Sequence, residues 1–202
     1  YLAQVGEGVT PVEMALARVR QLSAHEVGHT LGFPHNYMAS TYGNRASVMD
    51  YPAPFVGIRN GALELSDAYG VGIGEYDKLS VRWLYSDFAP GTEEKQALAT
   101  IVEAGLRSET RFMTHTDNLI AAGAHPLASV WDNGGNLVDG LAHEIEVRRI
   151  GLENFGPSVI RMGEPMSLLE QALLPLYLHH RYQMKSALNT VGGADYYYAL
   201  RG

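Results

Sequence analysis

Three histidines and a glutamate fall within eleven consecutive residues, His25-Glu26-Val27-Gly28-His29-Thr30-Leu31-Gly32-Phe33-Pro34-His35. Residues four apart share a helix face, so His25 and His29 can present two imidazoles to one ion. Neutral ring nitrogens suit zinc, at Zn–N distances of about 2.0–2.1 Å. Catalytic zinc sites commonly use three protein ligands and leave the fourth position to water, and His35 can supply the third. Gly32 gives the helix a place to end, because glycine accepts positive φ, and Pro34 stiffens the return. Glu26 is then left to take a proton from water on the metal as general base. HExxH alone is a weak signal, but glycine and histidine seven and ten places after His25 strengthen it. With 22 glycines and 8 histidines in 202 residues, both additions would arise by chance with a probability of roughly 0.004.

A second element, Ser47-Val48-Met49-Asp50-Tyr51-Pro52, follows the third histidine. HExxHxxGxxH followed by a methionine turn resembles the metzincin zinc endopeptidases. The resemblance implies that Met49 forms an apolar floor beneath the imidazoles. Tyrosine two places beyond the methionine resembles the astacin and serralysin branches. It implies that Tyr51 contacts the metal at rest and swings to stabilise the tetrahedral intermediate, a task a phenol can perform by donating to an oxyanion. Asp77, Val81, Leu84 and Tyr85 resemble the D-x-x-x-I-x-x-L-Y helix that follows the turn in several metzincins. These motifs span about residues 11–86; the tail resembles a bacterial, largely uncharacterised metzincin-like family of large secreted proteins. Metzincins usually carry a twisted sheet before the zinc helix, and the 24 residues ahead of His25 are too few for it. The expected partners are therefore a peptide or protein substrate and a further N-terminal part of the same polypeptide. Asn36 matches none of the residues that mark a metzincin branch. The resemblance also implies a secreted or periplasmic location, although no signal segment is visible.

The elements that must position these groups read mostly as helices. Thr10-Pro11-Val12-Glu13 is a helix start with a capping box, and apolar Met14, Leu16, Val19, Leu22 and Val27 carry the helix to about Leu31. Residues 43–60 read as loop, 75–85 as helix, and Ala89-Pro90-Gly91 as a linker with Thr92 capping a helix to about Leu106. Thr110–Asp117 reads as a short strand. Asn136 opens a helix with Leu141, Ile145 and Leu152 on one face. A longer helix runs from Pro165 to about Asn189, kinked at Pro175. The expected fold is mainly α with little β: the C-terminal half of a metzincin-like catalytic domain (1–90) followed by a helical region (91–202).

Composition narrows the rest. Apolar residues at 46% exclude a disordered chain. A net charge of −7 with no Lys/Arg run argues against nucleic acid, and no segment is long and apolar enough to span a membrane. Cysteine is absent, so thiolate ligands and a Cys nucleophile are excluded. His143-Glu144 repeats the start of the motif without a histidine at i+4 and reads as a helix-surface pair. Glu103, Glu109, Glu144, Glu146 and Glu153 read as solvated faces, His179-His180 as structural histidines, and His115 and His125 as loop residues. Tyr196–Tyr198 reads as packing, in a terminal strand. The expected function is zinc-dependent peptide hydrolysis with Zn²⁺ on His25, His29 and His35, and Glu26 and Tyr51 catalytic. The alternative is a zinc-stapled, non-catalytic binding or assembly module, or an inactive relic.

Overall fold

A computed structural model describes residues 1, 9–43, 45–114, 125–196 and 201. Helix α1 (Pro11–Thr30) opens with the expected capping box: the Glu13 N–H donates to Thr10 Oγ1 at 3.2 Å, and the Thr10 N–H to Glu13 Oε2 at 2.8 Å. It closes in a Schellman turn, with the Phe33 N–H bonded to the Gly28 carbonyl and the Gly32 N–H to that of His29. Gly32 supplies the required left-handed residue, at φ +90°. The helix buries Gln21, His25 and Gly28, while Val12, Leu16, Val19 and Val27 are exposed. The apolar stripe that marks this helix in the sequence therefore faces solvent, and its polar seam faces the protein.

A 3₁₀ turn at Ala39–Thr41 follows, then an antiparallel hairpin of β1 (Gly57–Arg59) and β2 (Ala62–Glu64) in the register Ile58 opposite Leu63. Its two turn residues, Asn60 at φ +53° and Gly61 at φ +77°, form the primed turn that suits strand twist. The segment read as loop through residue 60 thus ends in a strand. Among the described residues five more α-helices follow: α2 (Glu75–Tyr85), α3 (Glu94–Arg107), α4 (Leu137–Glu153), α5 (Leu168–Tyr177) and α6 (Arg181–Leu188).

Four sequence expectations need correction. Glu93, not Thr92, precedes α3, and Thr92 closes a turn onto Ala89. Residues 110–114 form no strand; their backbone instead bonds to Gly105 and Tyr37, and 115–117 lie outside the described residues. The single kinked helix is two: α5 runs through Pro175 to Tyr177, and the chain turns at 178–180 before α6. The buried face of α4 is Leu137, Glu144, Val147, Ile150 and Gly151, while Ile145 is exposed.

Two clusters form the core. Val56, Leu63, Leu65 and Ala68 pack on Val147 and Ile150 of α4, with Met14 of α1 at the margin. Tyr37, Met38, Met113 and Ala128 form a second cluster, and Tyr51 packs against it. Among the described residues no helix is long and apolar enough to cross a membrane.

Candidate metal centre

α1 brings His25 and His29 to one face, and the Schellman turn swings His35 back to them. One nitrogen of each ring lies within 4.8 Å of the others. The opposite edges of the rings fix which nitrogen converges. His25 Nδ1 donates to the Val48 carbonyl at 2.7 Å, and His29 Nδ1 to the Phe33 carbonyl at 2.8 Å. A carbonyl can only accept, so both Nδ1 atoms donate, and in a neutral ring that leaves Nε2 as the nitrogen able to ligate. His35 Nδ1 lies 3.1 Å from the Tyr37 hydroxyl, leaving its Nε2 on the same side as the others.

The residues fit a metal ion. His25 Nε2 is buried and has no hydrogen-bond partner. His29 Nε2 and His35 Nε2 are 3.1 Å apart, close to the ~3.3 Å between two ligands on a tetrahedral ion at ~2.05 Å. Burial lowers the His25 pKa, outweighing its Val48 hydrogen bond, and so keeps the ring in the neutral form that ligates. The three carbonyl or hydroxyl partners orient the rings from behind, as outer-shell contacts do in metal sites.

The methionine turn reaches the cluster from below. Met49 is fully buried, and a Cβ on Gly28 would collide with its Sδ atom, so the thioether packs directly on α1 between the two helical ligands. α2 holds the turn in place through Asp77. Asp77 Oδ1 accepts from Ser47 Oγ at 2.6 Å, and Oδ2 accepts from the Val48 N–H at 2.9 Å and the Gly74 N–H at 2.7 Å. Asp77 thereby anchors Val48, whose carbonyl orients His25. Asn36 ties the other side: its N–H donates to the Met49 carbonyl, and its side chain bridges Arg111 O and the Met113 N–H.

Tyr51 stands over the histidines, its ring centroid 4.9 Å from His25 and 4.5 Å from His35. Trp131 stacks on its other face at 5.6 Å and 8°, and the Trp131 N–H donates to the Tyr51 carbonyl at 2.7 Å. Glu26 lies beside His25 on α1, exposed, with no hydrogen bond or ion pair among the described residues. Behind the turn, Asp50 and Asp132 are both buried. Burial and the neighbouring Asp132 push Asp50 well above the usual carboxylate range, and burial pushes Asp132 up to about 6.

The structure brings His25, His29, His35, Met49 and Tyr51 together, with Gly32 at the helix end and Glu26 on the helix carrying the first two ligands. Sequence reasoning missed Gly28, Tyr37 and Trp131. Gly28 had a readable signal, since a glycine inside a helix costs stability and asks for a packing reason. Tyr37 and Trp131 had none, because their roles arise only from packing. Among the remaining histidines, His143 Nε2 donates to the Val56 carbonyl at 2.8 Å and its ring stacks on Phe55. Glu144 is buried against His179 and is no surface acid. His125 is buried, bonded to Asp195 at 3.0 Å, and packs on Tyr196 at 5.2 Å. His115, Tyr197 and Tyr198 lie outside the described residues.

No curated protein and no solved structure matches the chain. A family model described as Met-zincin matches residues 7–202, nearly the whole chain and well beyond the span of the motifs. With its histidine cluster and the buried methionine beneath it, this chain belongs to the Met-zincin family.

Proposed function

We propose that the chain is the metal-binding part of a zinc-dependent endopeptidase. The observation that carries this reading is the convergence of one ring nitrogen from each of three histidines whose opposite edges are hydrogen-bonded from behind. Among the described residues the cluster stops at three protein ligands, which favours a catalytic site with an open position over a structural staple. His25, His29 and His35 would hold the ion. When bound, zinc supplies a Lewis acid for a carbonyl and makes water acidic near neutral pH.

The remaining work falls to the chain. Glu26, an unpaired and exposed carboxylate, takes a proton from the attacking water and delivers it to the leaving amine. The Tyr51 phenol donates to the carbonyl oxygen as it gains charge, a contribution of about 3 kcal/mol for a well-placed donor. Asp77, Asn36 and Tyr37 keep the turn and the rings in register. The exposed stripe of Val12, Leu16, Val19 and Val27 on α1 is where we place the sheet that metzincins carry before the zinc helix.

Metal content and peptidase activity of the purified chain test the reading together. One zinc per chain with cleavage abolished in Glu26→Ala supports it. Full activity in Glu26→Ala, or a fourth histidine or a carboxylate on the metal seen by X-ray absorption, refutes it.

A further inference from the structure

Segment 129–133 runs along the methionine turn and the stretch after His35, tied to both by hydrogen bonds. The Ser129 N–H donates to the Tyr37 carbonyl at 3.1 Å, and the Trp131 N–H to the Tyr51 carbonyl at 2.7 Å. Asp132 accepts from the Ser40 hydroxyl at 2.8 Å, and the Asn133 amide donates to the Ala53 carbonyl at 3.1 Å. α6 and the residue that ends it hold the segment from the far side. The Asn133 N–H donates to Gln183 Oε1 at 2.9 Å, and the Asn189 amide to the Ser129 hydroxyl at 3.1 Å.

Trp131 sits in the middle of this segment with φ at +65°, a region that a bulky residue occupies only where its surroundings impose it. In that conformation its N–H bonds to the Tyr51 carbonyl while its indole lies on the Tyr51 ring, centroids 5.6 Å apart and planes 8° from parallel. Backbone and side chain of one residue thus grip backbone and side chain of the other. The Tyr51 N–H is fixed as well, by Asp50 Oδ1 at 2.7 Å, but no hydrogen bond among the described residues holds the Tyr51 hydroxyl. The place of the phenol is therefore set by what its ring touches, the indole on one face and the His25 and His35 imidazoles on the other. A donor stabilises a developing oxyanion best when it is aimed before the charge appears. A ring free to leave its place spends part of its time elsewhere, and a stacked aromatic neighbour shifts that balance by about two- to tenfold.

We propose that Trp131 is a positioning residue that keeps the Tyr51 phenol aimed over the histidines, and that segment 129–133 is thereby a contribution of the chain beyond residue 90 to the reaction. The proposal rests on the peptidase reading. It assigns a task to a segment outside the motifs, which end at about residue 86.

Two measurements on the whole chain test it. Glycine accepts φ +65° and keeps the N–H, so Trp131→Gly removes the indole alone. In the zinc-loaded chain this change should lower kcat about two- to tenfold with KM and zinc content unchanged, and Trp131→Ala should do the same. Trp131→Phe, which keeps a ring, should restore most of the loss. In a Tyr51→Phe background the removal of the indole should cost nothing further, since the hydroxyl that it aims is gone. An equal loss with and without the hydroxyl, or no loss at all, overturns the proposal. The second measurement needs no hydrolysis. With ¹³C-labelled tyrosine, the Tyr51 ring signal is the one missing from Tyr51→Phe, and its relaxation should report a rigid ring in the parent and a looser one in Trp131→Gly. A ring equally rigid in both overturns the proposal even where the chain cleaves peptides. A ring loosened by the change, in a chain that cleaves nothing, overturns the peptidase reading and leaves Trp131 as what holds Tyr51.

Discussion

The dipeptide His-Glu occurs on two helices of this chain, and the two copies meet opposite fates. On α1, His25 is buried and Glu26 is exposed; on α4, Glu144 is buried and His143 packs at the margin. His25 spends Nδ1 on the Val48 carbonyl and keeps Nε2 bare for a metal. His143 spends Nε2 on the Val56 carbonyl and rests its ring on Phe55. Glu26 has no partner among the described residues and can handle a proton, whereas Glu144 is held by His179. The pair carries no chemistry of its own. It acquires some on α1 because a second histidine stands one turn on, a third returns through the Schellman loop, and the methionine turn closes beneath.

Substitutions can break this contrast, and the largest effect belongs to the ligands. His29→Ala should lose both zinc and peptidase activity, read by metal analysis and peptide cleavage. His143→Ala should keep the metal. Glu26→Ala comes next: it should retain zinc while cleavage falls by about 10²- to 10⁴-fold, the usual worth of a positioned general base. The matching change on the other helix, Glu144→Ala, should act on folding, since it leaves His179 facing a cavity. A loss of about 1–3 kcal/mol in urea denaturation is expected, with zinc content intact. If Glu144→Ala emptied the metal site, the two helices would not be separable in this way.

Gly28→Ala probes the floor of the site with one added methyl group. The new Cβ collides with Met49 Sδ, so the turn must shift away from the rings. Overpacking of this kind costs about 1–3 kcal/mol, and zinc affinity should fall with it.

The last effect concerns another buried acid. Burial raises Asp132 from 3.8 to about 6 in the folded chain. The folded state then holds its proton more tightly than the unfolded state. Its stabilising contribution is therefore complete below about pH 4 and is lost as pH rises through about 6. Asp132→Asn keeps an acceptor for the Ser40 hydroxyl, which donates to Asp132 at 2.8 Å, and removes the charge. The variant should match the parent near pH 4 and exceed its stability above pH 6, by an amount of order 2 kcal/mol. Melting curves at the two pH values would show it.

Much of the metal centre was legible because it is local. His25, His29, Gly32 and His35 are set by helix periodicity and one left-handed glycine, both properties of a few consecutive residues. The same holds for the caps, where the Thr10 hydroxyl accepts from the N–H three residues on and the Asn136 side chain from those two and three residues on. The hairpin turning at Asn60-Gly61 was read only as loop, because its strands are three residues long and show no alternation to read. The buried face of α4 was misread because Glu144 sits in the middle of it, and nothing nearby in the sequence announces His179.

What the sequence determined alone, then, is the spacing of the three histidines, the helix that carries two of them and the turn that returns the third, because these follow from backbone geometry over fewer than a dozen residues. Tertiary structure alone decided which nitrogen of His25 turns to the cluster, what holds the methionine turn, and which residues stand behind Tyr51. Those depend on Val48, Asp77, Asn36 and Trp131, which bond or stack across gaps in the chain of up to 80 residues, as Trp131 does on Tyr51. Contacts of that kind leave no period in the sequence, because their partners are chosen by packing and by the need of each buried polar group for a hydrogen bond.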